Sequence, residues 1–413
     1  MREMKDSGMI RLKYVVDIFG RIGFRGYTEQ DLVDEYEGAI TLSPSNIQNM
    51  KMDYSKCSFL TWQKYYESPE IKIKNGDVLF VKTGSTYGKV GYVENLPMEA
   101  TINPQLVVFK NISMNSKLLF YMLQMSFVKD QCELAVVGGT IPTMSQVKIG
   151  NIYIPFPSLV EQQRIAEFLD RACGKIDGLK ADIQAQIDAL EQYKRSVITE
   201  AVTHGLNPSA PMKDSGIPWV GKTPEYWKVG RIGGLYELRN QKVSDKDFMP
   251  LSVTMKGILP QLETAAKTND GDNRKLVRVG DFAINSRSDR RGSCGISDYD
   301  GSVSLINTIL KPRNRMNAKY YNWLFHTPMF ADEFYKWGHG IVDDLWTTNW
   351  SEMKRISIPL PPLDEQQEIA DYLDNKCAAI EQIIADKKSQ IETLDGYKKS
   401  LIYEYVTGKK EVV

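Results

Sequence analysis

Histidine is nearly absent from this chain: His204, His326 and His339 are the three in 413 residues, and they are scattered. None of the five cysteines forms a Cys-x-x-Cys pair, so a zinc site of mixed Cys and His ligands is not expected. The cysteines read instead as small buried apolar residues of a reducing cytosol. No signal peptide opens the chain, and no apolar run reaches about 18 residues, so the expectation is a soluble intracellular protein with no membrane contact. Net charge is missing too, with 52 Lys and Arg against 52 Asp and Glu. Whole-chain charge therefore gives no argument for a polyanionic partner. By segment the balance is +1 for 1–157, −2 for 158–206, +5 for 207–357 and −4 for 358–413. A polyanion should meet the basic segments.

What the chain does contain is a long stretch present twice. Residues 154–203 align without a gap to 358–407, a shift of 204, and about half of the positions are identical. Each copy opens Ile-Pro-x-Pro-x-Leu-x-Glu-Gln-Gln-x-Ile-Ala and closes Tyr-Lys-x-Ser-x-Ile-x-Glu-x-Val-Thr. So long a repeat means one structural unit used twice. Leu169, Ile176, Ile183, Leu190 and Val197 recur every seven residues; Ile165, Ala172 and Leu179 fill the intermediate positions. This is a coiled-coil seam on a long helix. Ile369, Leu373, Ile380, Ile383, Ile391, Leu394 and Leu401 trace a similar stripe, with Lys387 intruding. The prolines ahead of each stripe set the helix start, and Gly205 and Pro208 stop the first.

The segments before each rod, 1–157 and 207–357, show short β-like runs and turn signals. Residues 71–74 and 78–81 read as strands around Asn75-Gly76-Asp77. A Gly-rich polar loop follows at 82–89, residues 116–130 look helical, and 136–145 is a second polar loop. Residues 205–218 read as a linker. At the same shift of 204, Gly76-Asp77 answers to Gly280-Asp281, Gly88 and Gly91 to Gly292 and Gly295, and Ile102-Asn103 to Ile306-Asn307. The expected fold is α+β: two mixed α/β globules separated by two long antiparallel helices in a coiled coil, with an internal pseudo-twofold repeat. The boundaries are 1–157, 158–206, 207–357 and 358–413.

Catalytic patterns are weak. Residues 216–223 match G-x-x-x-x-G-K-T, but the polar run 210–215 precedes them in place of a hydrophobic strand and Pro224 follows at once, so a phosphate-binding loop is not expected. Asn103-Pro104-Gln105-Leu106 faintly resembles the Asn-Pro-Pro-aromatic tetrad of adenine methyltransferases but lacks its second proline and its aromatic. Glu70-Ile71-Lys72 could be a nuclease E-x-K, yet its repeat counterpart has no acid. No nucleophile pairs with a base at a readable spacing. The matched loops are better suited to binding. Lys82, Thr83, Ser85, Thr86 and Lys89 lie in one, Thr140 in the second polar loop, and Arg287, Arg290 and Arg291 in the repeat copy, with Arg313 and Arg315 beyond. Such side chains bond phosphates or base edges. An ordinary solvated turn would show the same composition.

Together, Pro155-x-Pro157-x-x-x-Glu161-Gln162-Gln163, its copy Pro359-x-Pro361-x-x-x-Glu365-Gln366-Gln367, and Met212-Lys-Asp-Ser-Gly-Ile-Pro-Trp-Val-Gly221 resemble the specificity subunit of type I restriction–modification enzymes over essentially the whole chain. At the N-terminus the last motif is shortened to Met4-Lys-Asp-Ser-Gly8. The resemblance implies a cytoplasmic prokaryotic protein with two target-recognition domains. Each would read half of a bipartite double-stranded DNA site. It implies helical regions, opened by Glu161, Gln162, Gln163 and Glu365, Gln366, Gln367, that fix the gap and dock two methyltransferase subunits; a restriction–translocase subunit joins them. Catalysis, S-adenosylmethionine, ATP and Mg²⁺ would belong to those partners, and none to this chain. An exposed seam would allow the isolated subunit to self-associate. The alternatives are a stand-alone DNA methyltransferase or nuclease, and a coiled-coil adaptor without DNA contacts.

Overall fold

The computed structural model describes residues 8–48, 50–136, 141–261, 271–287, 290–313, 316–340 and 346–412. The chain forms two compact units, Met1–Ile183 with Ser389–Val413, and Gln184–Lys388. Each holds one mixed globule and parts of both long helices. The fold is α+β with an internal repeat.

In the first unit, Asp17–Gly20, Leu106–Lys110, Val78–Val81 and Val90–Tyr92 form a four-stranded antiparallel sheet in that order. Val78 to Val81 are buried on both faces, which explains their unbroken apolar run. One face packs on the helices Ser116–Met122 and Ser126–Ala135. The other meets a second sheet through Leu79, Val81, Leu106 and Val108. There Ala100–Ile102 runs parallel to Gly38–Leu42, with Ser58–Thr61 and Leu32–Val33 beyond. The second unit repeats the first sheet with Tyr236–Leu238, Asn307–Pro312, Phe282–Asn285 and Cys294–Ile296. The matched glycines have matched reasons. Gly76 (φ +92°) and Gly280 (φ +84°) take left-handed turns that most side chains avoid. The next residue in each case, Asp77 or Asp281, accepts the backbone N–H three residues back.

The long helices span Leu159–His204 and Leu363–Val406, 46 and 44 residues. Ser158 and Glu161 form a reciprocal cap at the first start. Gly205 (φ +76°) and Gly408 (φ +68°) follow the two ends. Within each unit the two helices pair antiparallel. In the first, Asp177 bonds Lys398, Lys180 pairs with Asp395, and the tilted rings of Phe168 and Tyr405 lie with their centroids 4.2 Å apart. In the second, Lys194 pairs with Glu381 and Lys387 Nζ reaches Gln186 at 2.5 Å. As one partner number rises the other falls, which only opposed directions allow. The seam departs from the heptad reading in places: Leu179 is 53% exposed, and Ile384 rather than the 45% exposed Ile383 is buried. A helix of 3.6 residues per turn drifts off a strict seven-residue repeat, and here the drift decides which neighbour faces inward.

Three local expectations change. Residues 212–224 are a hairpin, Met212–Ile217 against Gly221–Pro224, rather than a linker running through 218. Ile217, Trp219 and Val220 bury into the second unit's core, and that burial orders a Gly- and Pro-rich segment. The G-x-x-x-x-G-K-T pattern therefore lies on a β-turn. Residues 71–74 are not a strand: Pro69 starts a 3₁₀ turn, Pro69–Ile71, and only Ile73 bridges to Ala100. Finally, Val81 pairs with Leu106 but its counterpart Asn285 pairs with Asn307. Leu106 thus corresponds to Asn307, so the expected match of Ile102-Asn103 to Ile306-Asn307 slips by three residues.

Candidate nucleic-acid interface

Residues 82–89 link the central strand Val78–Val81 to the edge strand Val90–Tyr92, so the sheet holds both ends of this loop. Gly88 N–H donates to Val81 O at 2.9 Å and Tyr87 N–H to Gly84 O at 3.1 Å. Gly84 and Gly88 have φ of +103° and +78°, which folds the loop tightly. Two further segments meet it. Lys82 N–H donates to Gln105 O at 2.8 Å, while Gly84 N–H donates to Pro142 O and Met144 N–H to Lys82 O. Thr83 bridges Thr143. Ser85 and Thr86 are exposed in this loop, and Gln105, also exposed, lies against Gly84. Lys89 turns away, its Nζ donating to Pro44 O at 3.2 Å. Lys82 is half-buried, and burial lowers the pKa of its ammonium below the usual lysine value.

The second unit builds the same platform at the shift of 204. Arg287 bridges Thr347 as Thr83 bridges Thr143, and Thr348 N–H donates to Ser286 O as Met144 N–H does to Lys82 O. Gly292 (φ +73°) stands where Gly88 does. The chemistry on this scaffold differs. Arg287 and Arg291 line a small cleft with Phe330 and Tyr335. Arg291 lies 4.3 Å over the Tyr335 ring and pairs with Asp332 at 2.8 Å. Both residues of that ion pair are more than half exposed, so it contributes little to stability and an incoming phosphate can compete for the guanidinium.

Not every residue singled out from the sequence joins these platforms. Arg313 follows the far end of the strand Asn307–Pro312, its Nε donating to Tyr236 O at 3.3 Å. The strand length separates it from Arg287. Thr140 and Arg315 lie outside the described residues. Glu161 caps its helix, while Glu365 accepts from Tyr226 Oη at 3.0 Å and Trp227 Nε1 at 2.8 Å. Gln162 and Gln366 are buried, 1% and 4% exposed, and Gln163 and Gln367 accept from Asn115 and Asn317. The polar loop 136–145, which carries Thr143, is expected from the sequence to bind, but Gln105 and the Thr347 segment are not picked out from it. The signal was present, because 143 and 347 differ by the same 204.

The catalytic fragments do not converge. Glu70 is held by Arg25 at 3.5 Å, and Lys72 Nζ lies 4.4 and 4.2 Å over the Tyr65 and Tyr66 rings. Asn103 and Gln105 bond each other within a turn. Among the described residues, no group of three or more His, Cys, Asp or Glu is placed to hold a metal. Nor is any described helix long and apolar enough to cross a membrane.

Comparison with known proteins agrees with this architecture. A putative type I restriction enzyme MjaX specificity subunit of Methanocaldococcus jannaschii is 24% identical over 387 residues, 89% of this chain and 86% of that protein. The type I restriction enzyme EcoKI specificity subunit of Escherichia coli K12 is 21% identical over 406 residues, 92% and 83% of the two. A solved chain from work on complex assembly and conformational transition of the type I R-M system superimposes with a TM-score of 0.69 at 16% identity, covering 97% of each, and shares the fold. Residues 31–189 and 224–393 match the family profile described as the type I restriction modification DNA specificity domain. Those two matches fall on the two copies of the repeat and take in most of the chain, which therefore belongs to the type I restriction–modification DNA specificity family.

Proposed function

We propose that this chain is the non-catalytic DNA-reading subunit of a type I restriction–modification complex. The two hairpin platforms each read one half of a bipartite double-stranded site, and the paired rods set the unread gap. Lys82, Thr83, Ser85 and Thr86 serve the first half-site; Arg287, Arg290 and Arg291 serve the second. Exposed faces of the rods dock two methyltransferase subunits, and a restriction–translocase subunit joins the assembly. S-adenosylmethionine, ATP and Mg²⁺ act in those partners.

The observation that carries this reading is the pair of loops on one scaffold, Thr83 against Thr143 and Arg287 against Thr347, with different side chains on each. A constant scaffold with variable tips suits two readers of two different sequences. Phosphate contacts by Arg make affinity fall with salt, by about 0.9 in log–log slope per phosphate. Replacing Arg287, Arg290 and Arg291 with Ala in the assembled methyltransferase should weaken DNA binding and flatten that slope by about two to three units. The footprint should keep one protected patch and lose the other. Unchanged affinity and slope would favour an adaptor without DNA contacts.

A further inference from the structure

Each globule stands on its rod through the same bonds. Asn115 caps the helix Ser116–Met122, its Oδ1 accepting from Leu118 N–H at 2.9 Å. Its own N–H donates to Gln162 Oε1 at 2.9 Å and its Nδ2 to Gln163 Oε1 at 2.8 Å. Gln162 Nε2 donates onward to Pro157 O at 2.9 Å, and Gln163 Nε2 to Glu167 at 2.7 Å. About two turns along the rod, Asp170 takes Lys117 at 3.0 Å and Tyr121 Oη at 3.1 Å. The second unit repeats the set. Asn317 N–H and Nδ2 donate to Gln366 at 2.9 Å and Gln367 at 2.7 Å; Gln366 Nε2 donates to Pro361 O at 2.8 Å. Asp374 takes Lys319 and Trp323 Nε1, both at 2.9 Å. Gln162 thus has both ends of its amide committed inside the chain, and so has Gln366.

We infer that Gln162 with Gln163, and Gln366 with Gln367, are positioning residues for DNA reading: they lock the angle between each reader and the rod beneath it. This rests on the reader-and-spacer function proposed above. Apolar packing alone is non-directional, whereas hydrogen bonds are aimed. Two amides aimed at one capping asparagine fix the direction. Losing the Gln162 amide leaves the part-buried Asn115 N–H and the buried Pro157 carbonyl without these partners.

The test uses the full chain carrying Gln162→Leu, alone and assembled with its methyltransferase subunits. Hydrogen exchange across residues 113–120 should quicken about tenfold in the variant. On a DNA set whose half-sites are separated by gaps differing in single base pairs, the variant should methylate neighbouring gaps that the unmodified complex rejects. A merely structural role would lower the melting temperature and leave the gap profile alone, and that result would overturn the inference. So would loss of the methyltransferase subunits with exchange unchanged, because Gln162 would then be a docking residue. Gln163→Ala and Gln367→Ala remove the bond to the Asn side chain and a surface bond to Glu167 or Asp371 within the rod, and leave the Gln162 and Gln366 bonds in place. They cover the case in which Gln162→Leu does not fold, and should broaden the gap profile in the same sense but less. Failure of the underlying function would look different, since the unmodified complex itself would then show no gap preference.

Discussion

Lys398→Met gives a sharp test of the rod pairing, because the repeat supplies its own control. Lys398 Nζ donates to both Asp177 oxygens, at 2.7 and 2.9 Å, and its side chain is 6% exposed, with Asp177 at 21%. The same two repeat positions meet again as Lys194 with Glu381, there 24% and 63% exposed. Removing one partner of a fully buried pair costs about 3–5 kcal/mol, because a charge is left stranded. Asp177 keeps some solvent, so about 2 kcal/mol is expected. For Lys194→Met the figure is about 0.5 kcal/mol, typical of a mostly exposed pair. In a unit of about 200 residues, these translate to roughly 4–8 °C and 1–2 °C in melting temperature. Differential scanning calorimetry of the two variants measures both. Raising salt should shrink the smaller shift far more than the larger. Equal shifts, or the larger one at Lys194, would refute the burial argument. Asp177→Leu combined with Lys398→Met should recover most of the loss, since an apolar pair leaves no stranded charge.

Further tests address other levels of the structure. Inserting four residues, about 6 Å of helix, at matched points of both rods should lengthen the unread gap by about two base pairs while both half-sites persist, as methylome mapping would show. Trp227→Phe removes the indole donor to Glu365 at a residue 1% exposed and should cost about 1–3 kcal/mol by thermal or urea denaturation. Burial raises the Tyr54 phenol to about 12. The folded pKa is above the unfolded value of about 10, so Tyr54 loses stability as pH climbs from 10 to 12; Tyr54→Phe should flatten that part of the alkaline melting curve. Burial also pushes the Cys132 and Cys173 thiols up to about 11, so a thiol reagent at pH 8 should reach half-exposed Cys57 well before either.

Much of the fold was legible because duplication made the sequence its own comparison. The rods and the matched turns at Gly76 and Gly280 needed nothing beyond periodicity and φ constraints. What escaped depends on contacts between distant residues. Val81 and Asn285 differ by 204, yet their partners Leu106 and Asn307 differ by 201. Glycines shared by the two copies could not reveal a slip that arises in the strand opposite them. Arg313 stands 26 residues after Arg287, and only the strand direction shows that the two lie at opposite ends of one sheet. The glutamine pairs were legible as a motif but not as a joint, since their partners Asn115 and Asn317 lie about fifty residues upstream. At the candidate interface the scaffold could be read from the repeat. Which tips face outward could not, because that follows from left-handed glycines and a third segment laid alongside.

The two helix starts show how an inherited part can change employment. Ser158 gives Glu161 a hydroxyl and an N–H to hold, whereas Pro362 at the matching place offers neither. With no such neighbour to hold, the Glu365 carboxylate anchors Tyr226 and Trp227. Pro362→Ser would set two claimants on one carboxylate, and whichever lost would report how far the second copy depends on its different arrangement.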